Sequence, residues 1–499
     1  MKKKKYSADF GGKKLSVEIS DLAEQANGSV LVRYGETTVF AAAVMSKHKR
    51  EGLDYFPLTV DYEEKFYAAG QILGSRFMRR EGRPSEEAIL ASRLIDRTIR
   101  PLFNKKIRNE VQVIVLALSI DDKNDPDIPA VIAASLALGI SDIPWGGPVG
   151  AARIGCLEVQ PPNMEFVANP YFEEREKSKL NIVVCGRDGK INMIEAGAGE
   201  AGEDIVIGAM GKAVDEIKKI QKFQEDIIKE IGKEKLGVEI KEDPEGMKSL
   251  FNEEFLSKIN EIIFGGEMGG LNDLKSEWLK AVEESIGEGN NLPADDLFEE
   301  KISEIIHKEI IEKEKRPDGR KIDELRPVFA DAGILPIVHG SGVFYRGGTH
   351  ILSVVTLGGP KDGQLIEGME VQTTKRFLHH YNFPPFSTGE TGRMGGTGRR
   401  EIGHGALAEK ALSAVIPSKD DFPYTIRVVS ESMASNGSTS QGSVCASTMA
   451  LMDAGVPIKN PVAGIAIGLM LGNEKNYKIL TDIQGPEDHH GDMDFKVAG

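Results

Sequence analysis

An α+β architecture, built twice from one unit, is predicted for this chain of 499 residues. Three observations carry the prediction. Segments of similar pattern recur at a nearly constant offset: Pro148-Val149-Gly150-Ala151-Ala152-Arg153-Ile154-Gly155 returns as Pro461-Val462-Ala463-Gly464-Ile465-Ala466-Ile467-Gly468, which marks an internal repeat. Within each copy, β-branched stretches alternate with apolar helical ones, the pattern of mixed sheets covered by helices. Between the copies the texture changes to charged helical runs. A chain this long also exceeds one core, so two or three domains are expected.

Taken in order, the first copy is predicted to hold strands near 13–19, 29–45 and 111–118 and helices near 86–99 and 128–139. Strands near 149–158 and 180–195 follow. The segment Asn27-Gly28-Ser29 through Phe40 matches His339-Gly340-Ser341 through Leu352, each readable as a strand pair. From Glu203 to Ile231, Ile207, Met210, Val214, Ile217, Ile220, Ile227 and Ile231 recur at helical spacing. Further helical runs at 252–263, 274–285 and 296–315 make residues 236–316 a small all-helical domain. The domains are therefore expected at 1–235, 236–316 and 317–499. In the second copy, a strand over 424–429 leads into an apolar helix over 443–451.

Composition narrows the class. Apolar content of 40% and charged content of 28% are those of a water-soluble globular protein. No apolar run approaches the roughly 20 residues of a membrane helix, and Lys2 to Lys5 lead into no apolar segment, so no signal peptide is expected. Cys156, Cys185 and Cys445 show no CxxC spacing, which points to a reducing compartment and a cytoplasmic location. A net charge of −15 argues against indiscriminate coating of nucleic acid. A local basic track nevertheless runs from Arg76 to Arg108. In it Arg93, Arg97 and Arg100 fall at i, i+4 and i+7, either a binding stripe or an ordinary solvated helix face. Phe77 among Arg79, Arg80 and Arg83 is either a stacking platform for a single-stranded base or a core residue.

The chemistry gathers near the C-terminus. Ser435-Asn436-Gly437-Ser438-Thr439-Ser440 stands at a strand-to-helix junction, where hydroxyls and backbone N–H groups form a nest for an anion. The alternative is a serine-rich helix cap. Upstream, Arg399 and Arg400 offer planar forks for phosphate oxygens. His404 reads either as an acid–base group or as a satisfied core histidine. Downstream, Asp488, Asp492 and Asp494 suit an oxygen-loving divalent ion such as Mg2+ or Mn2+. Asp492 and Asp494 would share a strand face. His489 and His490, as neighbours on an extended chain, would point apart, which ranks zinc below magnesium. The Gly392–Gly398 cluster lacks the preceding strand of a dinucleotide fingerprint.

The first copy is poorer. Asp121-Asp122-Lys123-Asn124-Asp125 stands where the second copy has its hydroxyl loop, and carboxylates there would repel phosphate. Aligning 191–197 with 493–499 sets Asn192 against Asp494 and Ile194 against Lys496. The second copy is thus the reacting half. It also stops where the first continues into its 203–231 helix, which would leave a sheet face bare.

Taken together, the duplicated halves, the helical insert, Phe77-Met78-Arg79-Arg80-Glu81-Gly82-Arg83-Pro84-Ser85, His380-Tyr381-Asn382-Phe383-Pro384-Pro385, Arg399 to Gly405, Ser438-Thr439-Ser440 and Gly491-Asp492-Met493-Asp494-Phe495-Lys496 resemble the bacterial polynucleotide phosphorylase family. The resemblance covers the whole chain. It implies two RNase PH-like halves and a ring-shaped homotrimer around a channel for single-stranded RNA. It further implies 3′-to-5′ degradation of RNA by inorganic phosphate, releasing nucleoside diphosphates, with template-free polymerisation in reverse. By the same resemblance Asp488 and Asp494 bind Mg2+ or Mn2+ beside Lys496, and Asp492 is a candidate third ligand. Arg399, Arg400, Ser438, Thr439 and Ser440 hold phosphate, and Phe77, Arg79, Arg80 and Arg83 line the channel. Two departures stand out: Thr439 within the serine run, and Gly348 where the family carries a glutamate in Arg346-Gly347-Gly348-Thr349. The family's C-terminal RNA-binding domains do not occur in this sequence. Rival readings are a metal-dependent hydrolytic exoribonuclease, which would release monophosphates, and a non-catalytic RNA-binding ring.

Overall fold

A computed structural model of the protein describes residues 3–50, 52–160, 163–238, 244–265 and 270–499. The chain divides into two compact units, Met1–Glu239 with Leu365–Thr374, and Ile240–Gln364 with Lys375–Gly499.

The first unit holds two sheets. Strands β1 (Lys3–Phe10), β2 (Lys13–Ser20), β3 (Gly28–Tyr34), β4 (Thr37–Lys49), β5 (Leu58–Glu64) and β6 (Asn109–Ser119) form one, in the order β1-β2-β3-β4-β6-β5. Only the β5–β6 pair in it is parallel. Strands β7 (Gly150–Gln160), β8 (Asn163–Ala168), β9 (Leu180–Arg187) and β10 (Lys190–Ala198) form the other, ordered β10-β9-β7-β8. The stretch read as one strand over 180–195 is thus a hairpin, turning at Asp188 and Gly189, both with positive φ.

Helices α1 (Glu86–Ile99), α2 (Asp127–Ile140), α3 (Phe172–Glu176) and α4 (Glu203–Ile231) complete the unit. Helix α2 is buried from Ile128 to Ile140 and packs on β3, β4 and β7, so it is apolar all round rather than striped. Helix α4 lays Ala209, Ala213, Ile217, Ile220 and Ile227 against β7 and β9. Truncating one such buried isoleucine to alanine costs about 2–5 kcal/mol. Ser85 caps α1, its Oγ accepting from the Ala88 N–H at 2.9 Å.

The second unit begins with four helices, α5 (Met247–Glu254), α6 (Leu256–Gly265), α7 (Gly270–Ile286) and α8 (Asn291–Lys313). Strands β11 (Val328–Ala332), β12 (Gly340–Arg346) and β13 (Thr349–Gly358) follow. A short hairpin, β14 (Gln364–Glu367) and β15 (Gln372–Lys375), leads to β16 (Phe377–Asn382). Then come α9 (Arg399–Ser413), β17 (Thr425–Ala434), α10 (Thr439–Asp453), β18 (Gly464–Asn473), β19 (Asn476–Thr481), α11 (Gly485–His490) and β20 (Met493–Ala498). The larger sheet is ordered β11-β12-β13-β17-β16, with β16 and β17 parallel. This repeats β2-β3-β4-β6-β5.

The repeat extends to packing. A Cβ at Gly28 would come 2.1 Å from the Ala137 carbonyl oxygen, and one at Gly340 would come 2.4 Å from that of Ala450. Both halves therefore seat their central helix on a strand glycine, at matching places. The helical stretch does not keep a separate core. Phe251, Trp278, Phe298 and Ile306 join one cluster with Ala466, Met470, Leu480 and Ile483 of the second half. The hairpin was not foreseen, and its residues 365–374 count with the first unit, where Met369 enters the core.

The smaller sheets differ. The second has three strands, β19-β18-β20, against four in the first. Strand β20 pairs with β18 as β9 pairs with β7, with Gly468 opposite Asp494 and Gly155 opposite Asn181. The counterparts of Asp494 and Lys496 are thus Asn181 and Val183, not Asn192 and Ile194. The sequence match misled because β10 lies one strand further out. Met493, Phe495 and Val497 remain partly exposed on β20.

Candidate active site

The site is assembled in the second unit from three chain segments. The first is the N-terminal turn of α10. Helix α10 starts at Thr439, four residues earlier than the apolar pattern implies, so Thr439 and Ser440 lie in its first turn instead of a loop. Gly437 has φ +88°, and a Cβ there would meet the Ile483 carbonyl oxygen at 2.5 Å, so only glycine fits. Ser438 follows in the left-handed region at φ +40°. This bend leads directly into the first turn of α10. Among the described residues the buried Oγ atoms of Ser438 and Ser440 have no hydrogen-bond partner. Two buried hydroxyls without partners at a helix N-terminus are groups that an anion's oxygens could satisfy.

The second segment is α9. Glu401 fixes its start, accepting from the Gly398 N–H at 2.6 Å and from the Phe383 N–H at 3.0 Å. Arg399 and Arg400 open the helix, and the Arg400 guanidinium lies 4.6 Å over the Phe383 ring. His404 follows one turn after Arg400. Its ring meets Tyr381 edge-on at 5.0 Å, and the buried Tyr381 hydroxyl donates to Thr439 Oγ1 at 2.6 Å. One aromatic thus ties the arginine helix to the hydroxyl helix.

The third segment is α11 with β20. Asp488 lies on α11, and Asp494 and Lys496 lie on β20, where the Lys496 ammonium pairs with Asp494. The Asp488 carboxyl is pushed above its ordinary value by burial. Lys496 and Arg400 pull it the other way, while the adjacent Asp494 raises it further and hydrogen-bonds to it. Lys496, Asp494 and Arg400 thus all act on the Asp488 carboxyl. The loop of Ser438 reaches the same segment: Asn436 Oδ1 accepts from the Gly485 N–H at 3.0 Å. Two carboxyls held together, with oxygen donors and no thiolate, fit a hard divalent cation such as Mg2+.

Asp492 is placed elsewhere. Strand β20 begins only at Met493, so Asp492 does not share its face. Its carboxylate accepts from the Leu471 N–H at 2.7 Å and meets His307 Nε2 at 2.9 Å.

What holds the site together was missed at the sequence level. Arg316 and Glu487, both fully buried, pair through two contacts of 2.7 Å immediately before Asp488. Asp482 receives Arg326 through Nε at 2.9 Å and Nη2 at 2.8 Å, and Arg346 at 2.9 Å. Removing one partner of such a buried pair costs about 3–5 kcal/mol. The only available signal was the spacing of arginines from Arg316 to Arg346, which looks like surface charge. Gly348 lies against Asn436, whose Cβ an added side chain would meet at 3.2 Å. A glutamate at 348 would press on the serine loop.

The basic track lies in the first unit and divides in two. Phe77 is 85% exposed on the loop before α1, with the Arg76 guanidinium 5.1 Å from its ring; it is not a core residue. Arg79 (φ +48°), Arg80 and Arg83 stand on the same loop, also exposed. On α1, Arg97 is exposed and Arg93 half-buried. Arg100 is committed to the fold: it grips Asp96 at 2.6 Å and the Leu58 carbonyl at 3.0 Å. Arg108 is buried, donating to Leu53 O at 3.0 Å.

Comparison with known proteins agrees with the repeated fold. The RNase PH family model, described as the 3′ exoribonuclease family, domain 1, matches residues 11–144 and again 324–457. The polyribonucleotide nucleotidyltransferase of Caldicellulosiruptor bescii is 51% identical over 503 residues, covering 100% of this chain and 71% of the relative. Those of Anoxybacillus flavithermus and Bacillus subtilis are 50% and 49% identical, each covering 99% of this chain and 70% of the relative. The chain belongs to the polyribonucleotide nucleotidyltransferase family. Each half is an RNase PH domain, so the two matched stretches carry the larger sheets and central helices of the repeat. The family match ends at residue 457 in the second half. Asp488, Asp494 and Lys496 lie beyond it, within the span that the Caldicellulosiruptor bescii relative covers.

Proposed function

We propose that this chain is a phosphorolytic 3′-to-5′ exoribonuclease, which removes nucleotides from single-stranded RNA as nucleoside diphosphates and polymerises them in reverse. The observation that carries this reading is the pair of unpartnered hydroxyls, Ser438 and Ser440, at the start of α10, in a loop whose Asn436 is bonded to Gly485 of the helix that bears Asp488. Inorganic phosphate seats on Ser438, Thr439, Ser440, Arg399 and Arg400. A phosphate oxygen attacks the terminal phosphorus, the P–O3′ bond breaks, and the shortened RNA keeps a 3′ hydroxyl. Arg400 and Lys496 offset charge growing on the phosphoryl oxygens. His404, on the same helix face as Arg400, completes the set as an acid–base group. Asp488 and Asp494 would hold Mg2+, for which Mn2+ substitutes, and the ion would supply Lewis acidity at the leaving oxygen.

Phe77, Arg79, Arg80, Arg83, Arg93 and Arg97 grip the RNA by stacking and backbone charge, without regard to sequence. The assembly that suits this reading is a cytoplasmic homotrimer; among the described residues no helix is long and apolar enough to cross a membrane. Light scattering should return three times the protomer mass. The deciding experiment incubates the protein with single-stranded RNA and Mg2+, with and without phosphate, and identifies the product. Nucleoside diphosphates formed only with phosphate are expected. Monophosphates formed without phosphate would instead make it a hydrolase, and RNA binding with no product would make it a scaffold.

A further inference from the structure

A second cluster of ligating side chains lies outside the phosphate site. Glu299 of α8 and His489 and His490 of α11 each bring one ligand atom within 4.8 Å of the others. His489 Nε2 lies 3.9 Å from Glu299 Oε2. The two imidazoles stand nearly perpendicular, at 88°, with ring centres 4.7 Å apart. The pair converges because residues 485–490 are helical. An extended chain would have turned the rings to opposite sides.

We propose that Glu299, His489 and His490 form a transition-metal site, taking Zn2+ with water in the fourth position. Two neutral imidazoles and one carboxylate are the donor set of a three-ligand zinc centre. They are a poor set for Mg2+, which prefers oxygen ligands throughout. In a tetrahedron with bonds of about 2.0–2.1 Å, neighbouring ligand atoms stand roughly 3.4 Å apart. The ligand atoms, within 4.8 Å of one another, would close to that spacing by side-chain rotation, with Glu299 Oε1 accepting from Lys275 at 3.1 Å.

The backbone under the ligands is already set. Helices α8 and α11 pack against each other. Glu487 anchors α11 through its buried pair with Arg316. Two turns along α8 from Glu299, His307 binds Asp492 just past α11, at 2.9 Å. Little ordering remains for the metal to impose.

The test is a zinc titration of the protein by calorimetry in excess Mg2+, with Co2+ as a spectroscopic stand-in. One equivalent of Zn2+ is expected to bind, and Co2+ should give the visible bands of a tetrahedral site. His490→Leu and Glu299→Gln should each weaken zinc binding at least about tenfold. Asp494→Asn should leave it unchanged, which separates this centre from the acid pair. Both tested ligands are at the surface, and circular dichroism checks that the variants fold. The proposal is overturned if the unaltered protein binds no zinc, or if both ligand variants bind it as before. Loss on Asp494→Asn alone would also overturn it, by assigning the zinc to the acid pair.

Discussion

The two RNase PH halves place different charges at the same points of one fold. Where the second half has Ser438 and Ser440 at the start of its central helix, the first has Asp125 and Asp127. Where the second has Asp488 and Asp494, the first has Arg175 and Asn181, by position along the repeat and by sheet register. The first-half groups satisfy each other. Arg153 pairs with Asp125, and reaches Asp127 at 3.0 Å and Asn181 at 2.9 Å. Arg175 meets Asp125 at 3.0 Å. A cradle with acids in place of hydroxyls repels phosphate, and an arginine in place of a metal-binding acid repels a cation. On the proposed reading, these exchanges of charge would leave the first half unable to bind phosphate or a cation at these points. The acidic stretch that seemed responsible, 121–125, does something else at its head: Asp121 clasps its own loop, accepting from the Asn124 N–H at 2.8 Å and the Glu36 N–H at 2.9 Å.

The sharpest way to break this comparison is to impose first-half chemistry on the second. Ser440→Asp would set a carboxylate into the cradle, facing the incoming phosphate. Phosphate-dependent release of diphosphates should fall by about a thousandfold or more, as expected when an electrostatic contact is not only lost but reversed. Activity within tenfold of the unaltered chain would mean the hydroxyl cradle is not where phosphate binds.

The complementary change removes grip from the first half and leaves the cradle alone. Phe77→Ala should weaken single-stranded RNA binding by about 1–3 kcal/mol, measured by fluorescence anisotropy, and equally for purine and pyrimidine homopolymers. Stability should not change, because the ring is exposed. A loss confined to one base would replace stacking with base readout.

A smaller effect is expected from Tyr381→Phe, which deletes only the hydroxyl that reaches Thr439. The apparent KM for phosphate should rise by about three- to tenfold, equivalent to the roughly 1 kcal/mol of one hydrogen bond. An unchanged KM with a lower melting temperature would make Tyr381 a packing residue only.

The repeat and the helix of 203–231 were legible in the sequence, because offset and period can be read along the chain. The sequence also singled out Arg400, Asp488, Asp494 and Lys496 through their motifs. It misplaced what depends on tertiary neighbours. The α10 start was hidden because serine and threonine are poor helix formers, and packing overrides that preference. Asp492 looked equivalent to Asp494 until the strand was seen to begin one residue later. The buried arginine–carboxylate pairs around Asp482 and Glu487 are distant in sequence, so nothing local marks them.

The first half also carries a surplus of buried acid that pH should expose. Asp127 is raised to about 7 by burial and by the charge of Asp125, against which Arg153 and Arg175 pull. Asp125 itself is held low: burial opposes this, but Arg153 and Arg175 outweigh it. Between the unfolded carboxyl value near 4 and about 7, the folded chain therefore holds a proton on Asp127 that the unfolded chain has lost. Stability from this group falls as pH rises through that window, by up to about 1.4 kcal/mol per pH unit. Glu370 and Glu64 shift in the same direction, chiefly through burial. Asp127→Asn keeps an acceptor for Arg153 and removes the charge. The variant should match the unaltered chain near pH 4 and exceed it by at least about 1 kcal/mol at pH 7.5, by denaturant unfolding. An Asn variant that is less stable at pH 7.5 would mean the Asp127 charge is needed by Arg153, and that the first half is a balanced ion network without surplus acid.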